Sequence, residues 1–238
     1  MKETGNTEIH LHILDMSKPT DVTGFVKKFV SSQDSLDVLI NNAGCMVNTR
    51  DITEDNLDKN FATNTLGTYL LTVGLVPLLE KSAHPRVVTV SSGGMLVQKM
   101  NVDDLQFEKM SEKYDGTMAY AQNKRQQVEM TEEWSRQFTR IHFSVMHPGW
   151  ADTPAVRSSM PDFYNKMKDK LRTVEQGADT VVWLALADAA YSAPSGQFWQ
   201  DRTAVATHLP LAWTKSSQED KEKLMKTLAD MKDKFTVL

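Results

Sequence analysis

The chain has 238 residues, with 27 basic and 31 acidic side chains, a formal charge of −4 and a hydrophobic fraction of 40%. This suits one domain with an apolar core and excludes a disordered or fibrous chain. The near balance of charge, without a run of either sign, gives no electrostatic footprint for nucleic acid or an anionic membrane.

Short apolar runs alternate with longer segments of helical period, the pattern of a mainly parallel sheet covered by helices. Residues 8–14 read as a first strand and residues 19–31 as a helix. Residues 37–40 form a second strand, and Val38-Leu39-Ile40 is continuous rather than alternating, as a strand buried on both faces should be. A long helix is expected over 53–80. It carries no charge from 60 to 79, yet Asn60, Asn64, four threonines and Pro77 suit a buried helix better than a membrane span. Strand 86–90, helix 118–138 and strand 141–146 follow. Segment 150–172 fits neither period and reads as a substrate-covering flap or as a surface excursion. A capping box at Thr173-Val174-Glu175-Gln176 starts helix 173–188. A weaker strand, 197–199, precedes a tail helix over 217–235 with Leu224, Leu228, Met231 and Phe235 on one stripe. The single Cys45 excludes an intramolecular disulfide. With a polar N-terminus lacking an apolar signal stretch, it makes the cytoplasm the expected location.

Polar residues recur at strand ends. Asn41-Asn42-Ala43-Gly44 and Ser91-Ser92-Gly93-Gly94 each follow an apolar strand, and His147-Pro148-Gly149 ends another ahead of Thr153. Each alone is compatible with a simple turn. Asn64 falls in the middle of a core-facing stripe formed by Leu57, Phe61, Thr68, Leu71, Leu75 and Leu78, where an amide must find partners. Tyr120 and Lys124, four apart on one helix, share a face. His10 and His12 share a strand face without a third ligand, and Cys45 has no base placed for it; neither is assigned a function.

In this order, N-N-A-G, a buried Asn, S-S, Y-x-x-x-K and H-P-G-x-x-x-T, the chain resembles the short-chain dehydrogenase/reductase family. The long stretch between Ser92 and Tyr120 is similar to its retinol-dehydrogenase-like branch. The resemblance implies an α/β, Rossmann-like three-layer fold and NAD or NADP as cofactor. It implies Asn64, Ser92, Tyr120 and Lys124 as catalytic residues, with Tyr120 the acid–base group, its pKa lowered by the Lys124 ammonium. Ser92 would hold the substrate oxygen, and Asn64 would position a water that links Lys124 to solvent. Asn41, Ala43 and Gly44 would line the adenosine side, Asp15 would touch the adenine, and Pro148, Gly149 and Thr153 would meet the nicotinamide end, beside Tyr120 and Lys124. The implied substrate is a small carbonyl or alcohol, lipid-like by analogy with the branch. A homodimer through helices 53–80 and 118–138 is implied as well.

The glycines cannot build the family's G-x-x-x-G-x-G or G-x-G-x-x-G turn. The first family feature is Glu8-Ile9-His10-Leu11-His12-Ile13-Leu14-Asp15, which looks like a third strand. Residues 1–238 are therefore expected to form a single, incomplete domain lacking the first two strands. In a sheet of order 3-2-1-4-5-6 this leaves strand 37–40 with an open edge, unless strand 8–14 docks onto it. The alternative to an oxidoreductase is a catalytically silent, truncated isoform acting as a binding or interaction module.

Overall fold

The computed structural model describes residues 4–236. Five strands form a mixed sheet in sequential order: β1 (Val38–Asn41), β2 (Arg86–Val90), β3 (His142–Met146), β4 (Gln197–Gln200) and β5 (Thr203–Val205). The first four are parallel, in registers such as Val38 to Arg86, Val88 to Ser144 and Ser144 to Gln197. The last pair is an antiparallel hairpin whose two turn residues, Asp201 and Arg202, both adopt positive φ. This turn type matches the strand twist, but neither residue is a glycine, so β5 carries little signal in the sequence.

Among the described residues there are eight α-helices: α1 (Pro19–Ser32), α2 (Lys59–Leu79), α3 (Gly116–Gln137), α4 (Pro154–Ser159), α5 (Pro161–Met167), α6 (Val174–Leu186), α7 (Asp188–Tyr191) and α8 (Gln218–Thr236). Helix α2 starts six residues later than its period suggests. Asn56 turns into the left-handed region, and the Asp58 carboxylate caps the helix by accepting from the Phe61 amide at 3.0 Å. Its middle, Ala62–Gly67, is a wider turn than an α-helix. The helix is long and apolar enough to cross a membrane, but 72% of its most apolar window is buried inside the protein. Leu57, Phe61, Leu75 and Leu78 share a core with Val87, Trp134, Phe143 and, from α8, Leu224 and Leu228. Helix α8 packs against α1 and α3, so one side of the helix pair expected to carry a dimer is covered within the chain.

The expected first strand does not form. Residues 5–14 run without ladder partners, and Leu11 and Ile13 are 84% and 88% exposed. They do not dock on β1, which pairs with β2 alone and leaves Ile40 at 43% exposure. His12 sits edge-on to the rings of Phe25 and Phe29. The capping box at Thr173 and Gln176 forms with both bonds present.

Candidate active site

The carboxyl ends of β1, β2 and β3 converge on a cleft of about 460 Å3. Asn42 to Met46 line one wall, Val90 to Ser92 the floor, and His147 to Ala151 the other wall. Tyr120, Ala121, Lys124 and Thr117 enter from α3. Segment 150–172 is a flap: Ala155, Val156, Ser159 and Met160 face the cleft, and Trp150 packs on Phe163 with ring centroids 4.4 Å apart. Two bonds latch the flap to the opposite wall. Asn48 Nδ2 donates to the Ser159 carbonyl at 3.0 Å, and Ser159 Oγ donates to the Met46 carbonyl at 3.2 Å.

Asn64 is fully buried behind the wall rather than in the cleft. Its amide clamps the backbone of Cys45, Oδ1 accepting from the amide N–H at 2.9 Å and Nδ2 donating to the carbonyl at 2.8 Å. A Cβ on Gly44 would lie 2.9 Å from that Oδ1, so the clamp requires a bare backbone beside it.

Lys124 is held on two sides. Its Nζ donates to the Val90 carbonyl at 2.8 Å and to Gln127 Oε1 at 3.1 Å. It also lies 5.4 Å from the centre of the Tyr120 ring. Burial draws the lysine down to about 8, with the Cys45 thiol opposing the shift. The Tyr120 phenol is pushed up to about 12 by burial and by Cys45, with the Ser92 hydroxyl acting the other way. A lysine lowering the tyrosine is therefore not what the ligand-free cleft displays: desolvation of the phenolate is the larger effect. Gln127 bridges Lys124 to the wall directly, accepting from Nζ and donating from Nε2 to the Asn64 carbonyl at 2.7 Å.

Ser92, Tyr120 and Lys124 thus share one cleft with Ala43, Gly44, Pro148, Gly149 and Thr153. Two expected cofactor residues do not line it. The Asp15 carboxylate accepts from the Ser17 amide at 2.9 Å and from its hydroxyl at 2.7 Å, which holds it below the usual carboxylate range and closes a local turn. Asn41 points back to α2 and donates to Thr72 Oγ1 at 2.9 Å.

Beyond the residues given a role, three more line the cleft, His147, Thr117 and Trp150, and a buried arginine stands behind it. His147 is nearly buried and drawn down to about 4 by desolvation, with the Arg172 cation adding to the shift. Thr117 reaches the cleft from the first turn of α3 and Trp150 from the loop after β3. Arg125 is fully buried and donates to the carbonyls of Met95, Gln98 and Thr207 at 2.8, 3.3 and 2.6 Å, while pairing with Glu129 at 3.6 Å. It joins the loop that carries Ser92 to the segment leading into α8. Read alone, an arginine at this spacing belongs on a solvated face.

A sequence profile described as short chain dehydrogenase matches residues 1–102. The chain is similar to dehydrogenase/reductase SDR family member 12 of Homo sapiens, at 57% identity over 99% of this chain and 73% of the relative. The Bos taurus protein of that name is 59% identical over the same shares. Retinol dehydrogenase 12 of Homo sapiens is 32% identical over 84% of this chain and 63% of its own length. Among solved structures, a short chain dehydrogenase from Shigella flexneri shares the fold at a TM-score of 0.64 and 22% identity, over 83% of this chain and 72% of that one. A second from Shigella flexneri 2a, complexed with NADP, gives a TM-score of 0.62 at 22% identity, over 83% and 76%. On its identity to these relatives, the chain belongs to the short-chain dehydrogenase family, as a retinol-dehydrogenase-like member.

Proposed function

We propose that the cleft is an NAD- or NADP-dependent oxidoreductase site acting on a carbonyl or alcohol of an apolar small molecule. One observation carries the reading: Ser92, Tyr120 and Lys124 meet on the floor of a single cleft whose flap presents Ala155, Val156 and Met160. The residues present suit the nicotinamide end of such a cofactor. Gly149, at φ +76°, holds a backbone conformation that a side chain would strain, and Gly44 is bare on the facing wall. Ala43, Gly44, Pro148, Gly149 and Thr153 would hold the group, which supplies or accepts a hydride at the substrate carbon.

The proton chemistry belongs to the chain. Ser92 donates a hydrogen bond to the substrate oxygen, and Tyr120 gives that oxygen its proton. A phenol near 12 is fully protonated at neutral pH, the form needed to reduce a carbonyl. Lys124, cationic below about 8, stabilises the phenolate that remains. The alcohol-oxidising direction requires the phenolate first and is the harder one for this cleft.

A second reading, a silent binding module, is favoured by a different observation. None of the described cleft residues forms a glycine-rich turn feeding a helix of eight residues or more, the usual cradle for a pyrophosphate. Isothermal titration with NAD, NADP and their reduced forms separates the two. Micromolar binding supports the oxidoreductase, and no heat at millimolar cofactor supports the module. With binding in hand, Tyr120→Phe should lower reduction of an apolar aldehyde by about 10²- to 10⁴-fold while leaving cofactor affinity unchanged; full turnover would remove Tyr120 from its role.

A further inference from the structure

Gln127 lies one helical turn beyond Lys124 on α3 and is 1% exposed. Both ends of its amide are used: Oε1 accepts from Lys124 Nζ at 3.1 Å and Nε2 donates to the Asn64 main-chain carbonyl at 2.7 Å. Its orientation follows from its partners. Turned over, the amide would set its NH2 against an ammonium and its oxygen against a carbonyl. The Asn64 carbonyl belongs to the wide turn Ala62–Gly67 of α2, a distortion found frequently at functional sites. An ammonium has three N–H donors. Val90 and Gln127 take two of those on Lys124, which leaves one for the cleft.

We propose that Gln127 is a positioning residue: its amide ties Lys124 to the Asn64 carbonyl, fixes the Lys124 ammonium toward Tyr120, and closes the path between α2 and α3 to proton traffic. An amide neither takes up nor releases a proton near neutral pH, so a proton reaching Lys124 has to come from the cleft side. The inference rests on the reading of Tyr120 and Lys124 as the proton-handling pair, but its test does not. The groups facing the ammonium are few. Tyr120 stands on the same helix, the Cys45 thiol on the loop after β1, the neutral Val90 carbonyl on β2, and Gly44 and the Asn64 amide on the wall behind it. Among the described residues Lys124 forms no ion pair, so a charge placed at position 127 should dominate its titration.

The test is the titration of Lys124 in the ligand-free full chain, followed through the ε-carbon resonance of 13C-labelled lysine and assigned by its loss in Lys124→Met. Gln127→Glu keeps an acceptor and adds a charge, and should raise the midpoint by about 1–3 units. Gln127→Met removes the acceptor at similar volume and should lower it by about 1 unit. Opposite signs are the signature, because a packing defect would move both variants the same way. A shift below about 0.3 unit in either folded variant, or shifts of the same sign in both, overturns the proposal. If one variant fails to fold, Gln127→Asn, which keeps the amide but is too short to reach Lys124, takes its place: a midpoint lowered as in Gln127→Met and opposite to Gln127→Glu supports the proposal, and an unmoved midpoint overturns it. A failed cofactor titration, by contrast, would sink the oxidoreductase reading and leave this result standing.

Discussion

Helix α3 buries Gln122, Asn123, Lys124, Arg125, Gln126, Gln127 and Glu129, whereas residues 5–13, which include Ile9, Leu11 and Ile13, lie in the open. In the first region polar side chains are inside because each meets a partner. Thr65 donates to Gln126 Oε1 at 2.6 Å, Arg125 serves three carbonyls, and Ser216 donates to Glu129 at 2.6 Å. In the second, apolar side chains are outside because no strand stands between them and the open edge of β1. Burial here follows the availability of partners rather than hydrophobicity, and the region richest in buried polar contacts is the one that holds the cleft floor.

The contrast is sharpest at Arg125. Arg125→Met should cost about 3–5 kcal/mol in denaturant unfolding, because Glu129 stays buried with Lys221 as its remaining cationic partner and three carbonyls lose their donor. A loss below about 1 kcal/mol would mean the buried network is dispensable.

Lys124 gives a pH signature. The folded chain holds its proton to about 8, against about 10.4 for an unfolded lysine. Between those values the unfolded state binds more protons, so stability rises with pH by up to about 1.4 kcal/mol per unit. Below pH 8 the buried ammonium destabilises the fold by about 3 kcal/mol in all. Tyr120, pushed up to about 12, and the raised Cys45 thiol give slopes of the opposite sign in alkali. Tyr120 and Cys45 are both present in Lys124→Met, so the difference between the two proteins from pH 8 to 10 reports the lysine together with its coupling to Cys45. Parallel stability curves would contradict its burial.

At Gly44 the polar region meets the cleft. Gly44→Ala should cost about 1–3 kcal/mol, because the Asn64 clamp must shift to admit the new carbon. On the open side the expectation reverses. Leu11→Lys with Ile13→Lys should change stability by less than about 0.5 kcal/mol and reduce self-association on light scattering, since both apolar side chains are exposed. A large destabilisation would reveal packing that residues 5–14 do not display.

Much of this was legible in the sequence. Strand Arg86–Val90 and the Leu224 and Leu228 stripe of α8 follow from periodicity alone. The cleft was legible through strand-end turns, which mark the ligand-binding edge of an open α/β sheet. The rest resisted for identifiable reasons. Residues 8–14 have the composition of a strand, but a strand also needs a neighbour, which no local pattern supplies. Asp15 and Asn41 are the residue types that a nucleotide site uses, yet each finds a nearer partner, in Ser17 and in Thr72. Gln127 and Arg125 look like solvated helix residues until tertiary packing brings Asn64 and Thr207 to them.

The most direct test of the central claim is a backbone amide NMR titration of the 15N-labelled chain with NADH and NADPH, taken into the millimolar range. Binding in the cleft should concentrate the shifts at Ala43, Gly44, Ser92, Gly149 and Thr153 and leave Asp15 and Asn41 unmoved. Shifts centred on Asp15, or none at the strand ends that form the cleft, would contradict it.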